Sequence, residues 1–261
     1  MDLRKSFDSE VENYDKWRPR YCCKLFNDII KHSNLNADKE CLEIGCGTGQ
    51  ATEPILKTGS SLLAIELGAN FTEFTRCKFM SYKNFQIENA DFEKINLENN
   101  KYDLVYSGTA FHWIPEDIGY NKVYNILKSG GTIALFWNKP GPKSFDDPLH
   151  LKMQAVYAKY RGSEEMKKAK AERENPEERY TKITNTIKKY GFVDVECCLY
   201  KQVREFTADE YVSLLCTYSD NIAQPEPTKT QFLKEMYNVI YDFNNNINVY
   251  DTIELYLARK P

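Results

Sequence analysis

Histidine is scarce in this chain, which carries three in 261 residues, at positions 32, 112 and 150. None stands at zinc-ligand spacing from a cysteine pair and C-x-x-C does not occur, so the pattern offers no metal framework. Eight cysteines are present, but Cys22-Cys23 and Cys197-Cys198 are adjacent in sequence, and a chain of this length needs no covalent staples. They read as reduced thiols. Positive charge is also in short supply: 35 Lys and Arg against 38 Asp and Glu leave a formal net charge of −3 and a pI of about 5.8. A duplex nucleic acid calls for a basic surface, so none is expected as partner. The run Lys167-Lys168-Ala169-Lys170 is followed by Glu172 and Glu174 and reads as a solvated helix face. No stretch of 18 apolar residues occurs, and MDLRKSFDSEVENYDKW lacks a hydrophobic signal core. The expectation is a cytoplasmic protein with no membrane partner and no resident metal. Internal repeats and low-complexity tracts are absent as well.

What is present is a rhythm. Short apolar runs recur as CLEIG (41–45), SLLAIEL (61–67), FQIENA (85–90), YDLVYSG (102–108) and TIALFWN (132–138), with helix-length segments between most of them. That alternation predicts βα units of a parallel sheet. The Ser129-Gly130-Gly131 turn is expected to end the helix before the fifth run. FVDVECCLY (192–200) and VYDTIELYLA (249–258) follow later. The second sets Ile253, Leu255 and Leu257 on one face and Thr252, Glu254 and Tyr256 on the other, as in a half-exposed antiparallel strand near a sheet edge. Residues 139–190 and 205–246 break the rhythm and read as helices. Met153, Val156, Tyr157 and Tyr160 form one stripe, and Phe232, Leu233, Met236, Val239, Ile240 and Phe243 another. Thr207-x-x-Glu210 and Thr228-x-x-Gln231 have the capping-box form that starts helices. Both segments read as a helical lid over an α/β core.

The sharpest local signal is CLEIGCGTGQAT (41–52), where glycines at 45, 47 and 49 follow an apolar run. A chain spends glycine where it turns sharply, takes positive φ or is approached closely. Strand, glycine turn and a helix starting near Gln50 would present unpaired backbone N–H groups to an anionic ligand. The dinucleotide fingerprint wants a small third residue three places after the second glycine; here Gln50 stands there and Gly49 comes early. An NAD(P)-dependent oxidoreductase is therefore a poor fit. Taken alone, Glu66 and Asp91 are equally ordinary polar residues at strand ends, and His112 is equally a packing histidine.

EIGCGTGQAT closely resembles the first motif of the class I S-adenosylmethionine-dependent methyltransferases. NADFEKINL (89–97), YDLVYSGTAFHWI (102–114) and LKSGGTIALF (127–136) match later segments of that family in order. FDSEVENYDKWRPRY (7–21) resembles an N-terminal segment of a subgroup that methylates small molecules, including organic acids such as trans-aconitate, although Val11 and Cys22 depart from its pattern. The resemblance implies a Rossmann-like sheet of seven strands, mostly parallel with the last antiparallel, helices on both faces and a helical lid. It divides the chain into a helical segment at 1–38 closing over the cofactor, a core at 39–138, a helical insertion at 139–190, a strand at 191–204, a lid segment at 205–247 and a final strand at 248–261.

By the same resemblance S-adenosylmethionine lies against Glu43, Gly45, Cys46, Gly47, Thr48 and Gly49. Glu66 receives the ribose with Leu67 beside it, Asp91 accepts from the adenine amino group, and Phe92 packs on the ring. Ser107 and Gly108 follow on the fourth strand, while Tyr14 and Arg18 close over the site. Phe111, His112, Trp113 and Arg161 are expected to line the acceptor pocket, His112 as pocket wall first and general base second. The implied activity is in-line methyl transfer to a carboxylate or other oxygen of a small molecule. A cofactor-binding module without catalysis remains the other reading of the same motif.

Overall fold

A computed structural model describes residues 11–161 and 176–261. The first ten residues and the basic run at 167–170 lie outside the described residues. The five apolar runs form β1 (Glu40–Ile44), β2 (Ser61–Glu66), β3 (Phe85–Asn89), β4 (Tyr102–Gly108) and β5 (Leu127–Gly141), joined by β6 (Val193–Phe206) and β7 (Ile247–Arg259). They make one seven-stranded sheet in the order β3-β2-β1-β4-β5-β7-β6. β1 to β5 pair in parallel, and β7 runs antiparallel to both β5 and β6. This is the expected Rossmann-like arrangement with an antiparallel last strand.

The helices are α1 (Val11–Trp17), α2 (Cys23–Ser33), α3 (Thr52–Leu56), α4 (Ala69–Lys78), α5 (Glu116–Ile126), α6 (Pro148–Arg161), α7 (Pro176–Lys189), α8 (Ala208–Leu215), α9 (Ser219–Ile222) and α10 (Glu226–Tyr241). Each core helix is written by its apolar stripe. Leu25, Phe26 and Ile29 of α2 bury against Cys41, Tyr106, Phe136 and Leu255 on one face of the sheet, and Asn34, at φ 50°, ends the helix in the left-handed conformation. Tyr120, Val123 and Ile126 of α5 cover the other face with Val105, Ile133 and Leu135. The lid has a core of its own, where Met153 and Val156 of α6, Leu214 and Leu215 of α8 and Phe232, Met236 and Ile240 of α10 meet. Each such side chain contributes about 1.5–3 kcal/mol by leaving water, so this second cluster can hold three helices together.

Several details differ from the sequence reading. β7 is not half-exposed: β6 takes the edge, and Glu254 and Tyr256 are buried beneath helices as fully as Ile253 and Leu255. Alternation of polar and apolar residues reported two faces correctly, but the polar one is covered because Arg179 of α7 donates from Nε to Glu254 Oε2 at 2.7 Å. For the same reason residues 139–190 are not one unit, since α6 joins the lid cluster while Ile187 of α7 lies in the sheet's core. Thr207 and Glu210 form a reciprocal capping box. Thr228 does not cap, because α10 already starts at Glu226 with proline in its first turn, where the fixed φ and missing N–H suit a helix start. Residues 47–51 are turn, and α3 begins at Thr52 rather than near Gln50.

Sheet order places the site. Chain connections leave β1 toward β2 on one side and β4 lies on the other, so a crevice opens beyond the carboxyl ends of β1 and β4.

Candidate active site

The crevice is lined by the β1 loop (Gly45, Cys46, Gly47), the end of β4 (Gly108, Thr109), Glu43 beneath them, and the N-terminal arm (Tyr14, Arg18, Pro19, Tyr21) above. The glycines earn their positions in different ways. Gly45, Gly47 and Gly49 all take positive φ, at 68°, 55° and 82°. A Cβ on Gly45 would sit 2.6 Å from Ala110 Cβ, and one on Gly49 would sit 2.3 Å from the Phe79 ring. A Cβ on Gly47 would meet no core atom; its nearest neighbour is Tyr14 Cε1 at 3.4 Å. So Gly45 and Gly49 are demanded by packing as well as by φ, whereas Gly47 faces the crevice under the Tyr14 ring.

Carboxylates organise the loop. Glu66, at the end of β2, accepts from Gly47 N at 2.8 Å through Oε2 and from Gly68 N at 2.9 Å through Oε1. Asn89 donates to the carbonyls of Glu66 and Leu67, at 3.0 and 3.1 Å, which holds the strand end in place. Glu43 is buried on β1, and its Oε2 accepts from Thr52 Oγ1 at 2.6 Å and Tyr106 Oη at 2.9 Å. Burial pushes its carboxyl up to about 7, against the pull of those two hydroxyls and with a push from Glu66. Thr48 is fully buried, its hydroxyl accepting from Gln50 Nε2 and its carbonyl from Lys78 Nζ. Ser107 is fully buried too, donating to the Ile44 carbonyl at 2.8 Å, so it ties β4 to β1.

Above the loop, Arg18 lies between the rings of Tyr14 and Tyr218, 4.8 and 4.4 Å from their centroids, and donates to the Thr217 carbonyl at 2.8 Å. The arm is thereby fastened to the lid, and Tyr14 packs edge-on against Phe71 of α4 in the core, 4.9 Å between centroids. Burial raises the Tyr14 phenol, with Arg18 opposing, so it stays protonated at neutral pH. Asp91 Oδ1 accepts from Glu93 N at 3.0 Å, and Phe92 is buried in the sheet's core; neither is among the residues that line the crevice.

His112 and Trp113 occupy a short 3₁₀ turn after β4. His112 is exposed at one side, and its Nδ1 accepts from Trp137 Nε1 at 3.2 Å. Desolvation against that wall, then the charges of Lys139 and Arg179, push the imidazole down to about 4. It is a neutral group at pH 7 and a weak base.

Phe111, His112, Trp113 and Arg161 are not among the residues that line this crevice, and the first and last are held elsewhere. Phe111 is buried, 5.0 Å from the Tyr120 ring, and backs the turn instead of lining the crevice. Arg161 belongs to the lid: it pairs with Asp220, donates to Asn221 Oδ1 at 2.6 Å and lies over Tyr157. Its acidic and amide partners, Asp220 and Asn221, are distant in sequence, which is why its position could not be read there. Conversely, Thr109 was missed. This β-branched residue sits at φ 56°, with its hydroxyl 2.9 Å from Tyr21 Oη and its N–H donating to the Phe136 carbonyl at 2.8 Å. Such a conformation costs about 1–3 kcal/mol and persists where surrounding bonds impose it. The only sequence signal was its place directly after Gly108.

A family model for a methyltransferase domain matches residues 42–135. An uncharacterized methyltransferase of Schizosaccharomyces pombe is 22% identical over 239 residues, 91% of this chain and 88% of that protein. The malonyl-[acyl-carrier protein] O-methyltransferase of Acetivibrio thermocellus is 30% identical over 169 residues, 62% of this chain and 57% of that protein. Among solved structures, phosphoethanolamine N-methyltransferase 2 of Haemonchus contortus, in complex with S-adenosyl-L-methionine, has a TM-score of 0.56 at 15% identity, covering 97% of this chain and 57% of that one. That last likeness is one of fold. Residues 42–135 thus match a methyltransferase domain, and motif order and sheet topology agree with a class I S-adenosylmethionine-dependent methyltransferase.

Proposed function

We propose that the enzyme methylates a carboxylate oxygen of a small organic acid. The observation that carries this reading is the crevice itself, in which a glycine loop at positive φ, a strand-end carboxylate and a cation-bearing aromatic arm converge on one space. S-adenosylmethionine, when bound, supplies a methyl group on a sulfonium that already contains its leaving group.

The chain's own residues then have three tasks. Gly45, Cys46, Gly47 and Gly49 shape the floor, with Gly47 open to close approach; Glu66 offers acceptor lone pairs to ribose hydroxyls, beside Leu67; Asp91 accepts from the adenine amino group. Tyr14 and Arg18 close the top, and their ring face and cation suit a sulfonium and a carboxylate respectively. Glu43, Thr48, Ser107, Gly108 and Phe92 hold this frame from beneath. His112 and Trp113 then border the acceptor. A carboxylic acid arrives ionised at neutral pH, so no base is required, in keeping with a His112 ring that is neutral and weakly basic. Holding nucleophile and methyl group together supplies the rate, as positioning alone can contribute about 7–11 kcal/mol. The malonyl-carrier relative, an O-methyltransferase by its name, supports oxygen as the target.

A calorimetric titration tests the cofactor half of this reading. S-adenosylhomocysteine should bind in the micromolar range while NADH releases no heat; the reverse result would overturn it.

A further inference from the structure

His112 is the one ionisable side chain of the 111–113 turn, and its two nitrogens face different surroundings. Nδ1 is 3.2 Å from Trp137 Nε1 on β5, and Nε2 has no partner among the described residues. Indole Nε1–H donates and never accepts, so Nδ1 must present its lone pair. In a neutral imidazole the proton then sits on Nε2. Trp137 cannot readily turn away from this bond. Its ring is buried against Tyr256, 5.8 Å between centroids, and under the Arg179 guanidinium at 5.6 Å, which Glu254 holds in turn. Losing the bond would leave a buried N–H unpaired.

We propose that Trp137 is a positioning residue that locks His112 as the Nε2–H tautomer, so that His112 offers the methyl acceptor a hydrogen-bond donor and cannot take a proton from it. This deepens the reading of the crevice as a carboxylate methylation site and rests on it for the identity of what His112 faces. The lock selects among acceptors. A carboxylate oxygen can receive the Nε2–H, whereas an alcohol or ammonium that must lose a proton before attack finds no base in His112. Imidazolium formation would set N–H against N–H at Trp137 and add charge near Lys139 on β5 and Arg179 on α7, the cations whose fields lower His112. Trp113 stacks obliquely on the ring at 5.1 Å and brings no charge of its own.

With three histidines in the chain, long-range ¹H–¹⁵N spectra of protein labelled at histidine nitrogen can be assigned by comparing wild type with His112→Gln. The wild-type spectrum should show His112 protonated at Nε2 alone and unchanged from pH 8 to 5. Trp137→Phe, which keeps the aromatic bulk and removes the donor, should give mixed tautomers and a midpoint at least about one pH unit higher. Should the variant unfold, the wild-type spectrum decides by itself: an Nδ1–H tautomer, or titration near 6.5, overturns the lock. Malonate, used as a dicarboxylate probe on protein saturated with S-adenosylhomocysteine, should shift the Nε2 signal and no signal of His32 or His150. If the lock is seen but malonate leaves Nε2 unmoved, the donor role fails; S-adenosylhomocysteine binding, read separately, reports whether the crevice assignment itself stands. In turnover, His112→Gln, which can still donate, should retain KM for the acid within about threefold, while His112→Phe should raise it at least tenfold with less change in kcat. Equal KM in both variants would also overturn the donor role.

Discussion

The sheet and the lid solve the same packing problem with different materials. In the sheet, sites are made from backbone: glycines at positive φ, N–H groups aimed at Glu66, strand ends set by register. In the lid, they are made from side chains that meet across long stretches of sequence, such as Arg161 with Asp220 and Asn221 or Lys159 with Glu235. Arg18 belongs to both, reaching from the arm to Thr217 at the end of α8. Backbone chemistry tolerates few residue types at each position and therefore leaves a signature. Side-chain pairing tolerates many and leaves little.

The largest effect that would sharpen this contrast comes from two glycines of one loop. Gly49→Val drives a side chain into Phe79 and should unfold the core or lower Tm by more than 10 °C. Gly47→Val meets only Tyr14 and the strain of positive φ, about 1–3 kcal/mol, so it should remain folded and lose at least a hundredfold in S-adenosylhomocysteine affinity. Thermal unfolding and calorimetry on both variants would break the account if their effects were the same. Next is Glu66→Ala, which removes a charged acceptor and leaves the Gly47 amide unpaired. A loss of about 1.5–3 kcal/mol in cofactor affinity is expected, shrinking with a 2′,3′-dideoxy analogue.

Much of this was legible in residues 41–108. The period of the apolar runs announced parallel strands, and the spacing of glycines separated the loop from a dinucleotide fold. Legibility failed where a second element decides the outcome. Glu254 alternates like a solvent-facing residue until Arg179 covers it, and Phe111 looks like a pocket aromatic until Tyr120 packs on it. Arg161 had the right charge for an acid's pocket, but its partners Asp220 and Asn221 lie beyond any local pattern. Thr109 holds a conformation that its residue type argues against, imposed by Tyr21 and Phe136 from other elements.

A pH-dependent effect of similar size follows from Glu43. Its carboxyl is raised from 4.5 in the reference state to about 7 in the fold, so the folded protein binds the extra proton between these values. Stability should therefore fall as pH rises from about 4.5 to 7, by up to about 3 kcal/mol, and level off above. Glu43→Gln should flatten that slope, as read from urea midpoints across the range; an unchanged slope would assign it to other groups. Least of all should be Arg161→Met. The pair with Asp220 is half open to water, so about 1 kcal/mol or less of stability is at stake, and S-adenosylhomocysteine affinity should not change. A tenfold loss of that affinity would return Arg161 to the site and blur the division between sheet and lid.

The central claim is methyl transfer to a carboxylate oxygen at the crevice over Gly47. It is tested most directly by incubating the enzyme with methyl-tritiated S-adenosylmethionine and a panel of small di- and tricarboxylic acids, then adding base. A methyl ester releases its label as volatile methanol, so wild type should yield base-labile volatile tritium with at least one acid, and folded Gly47→Val should yield none. Label that stays non-volatile after base, in an N- or C-methylated product, would contradict the account.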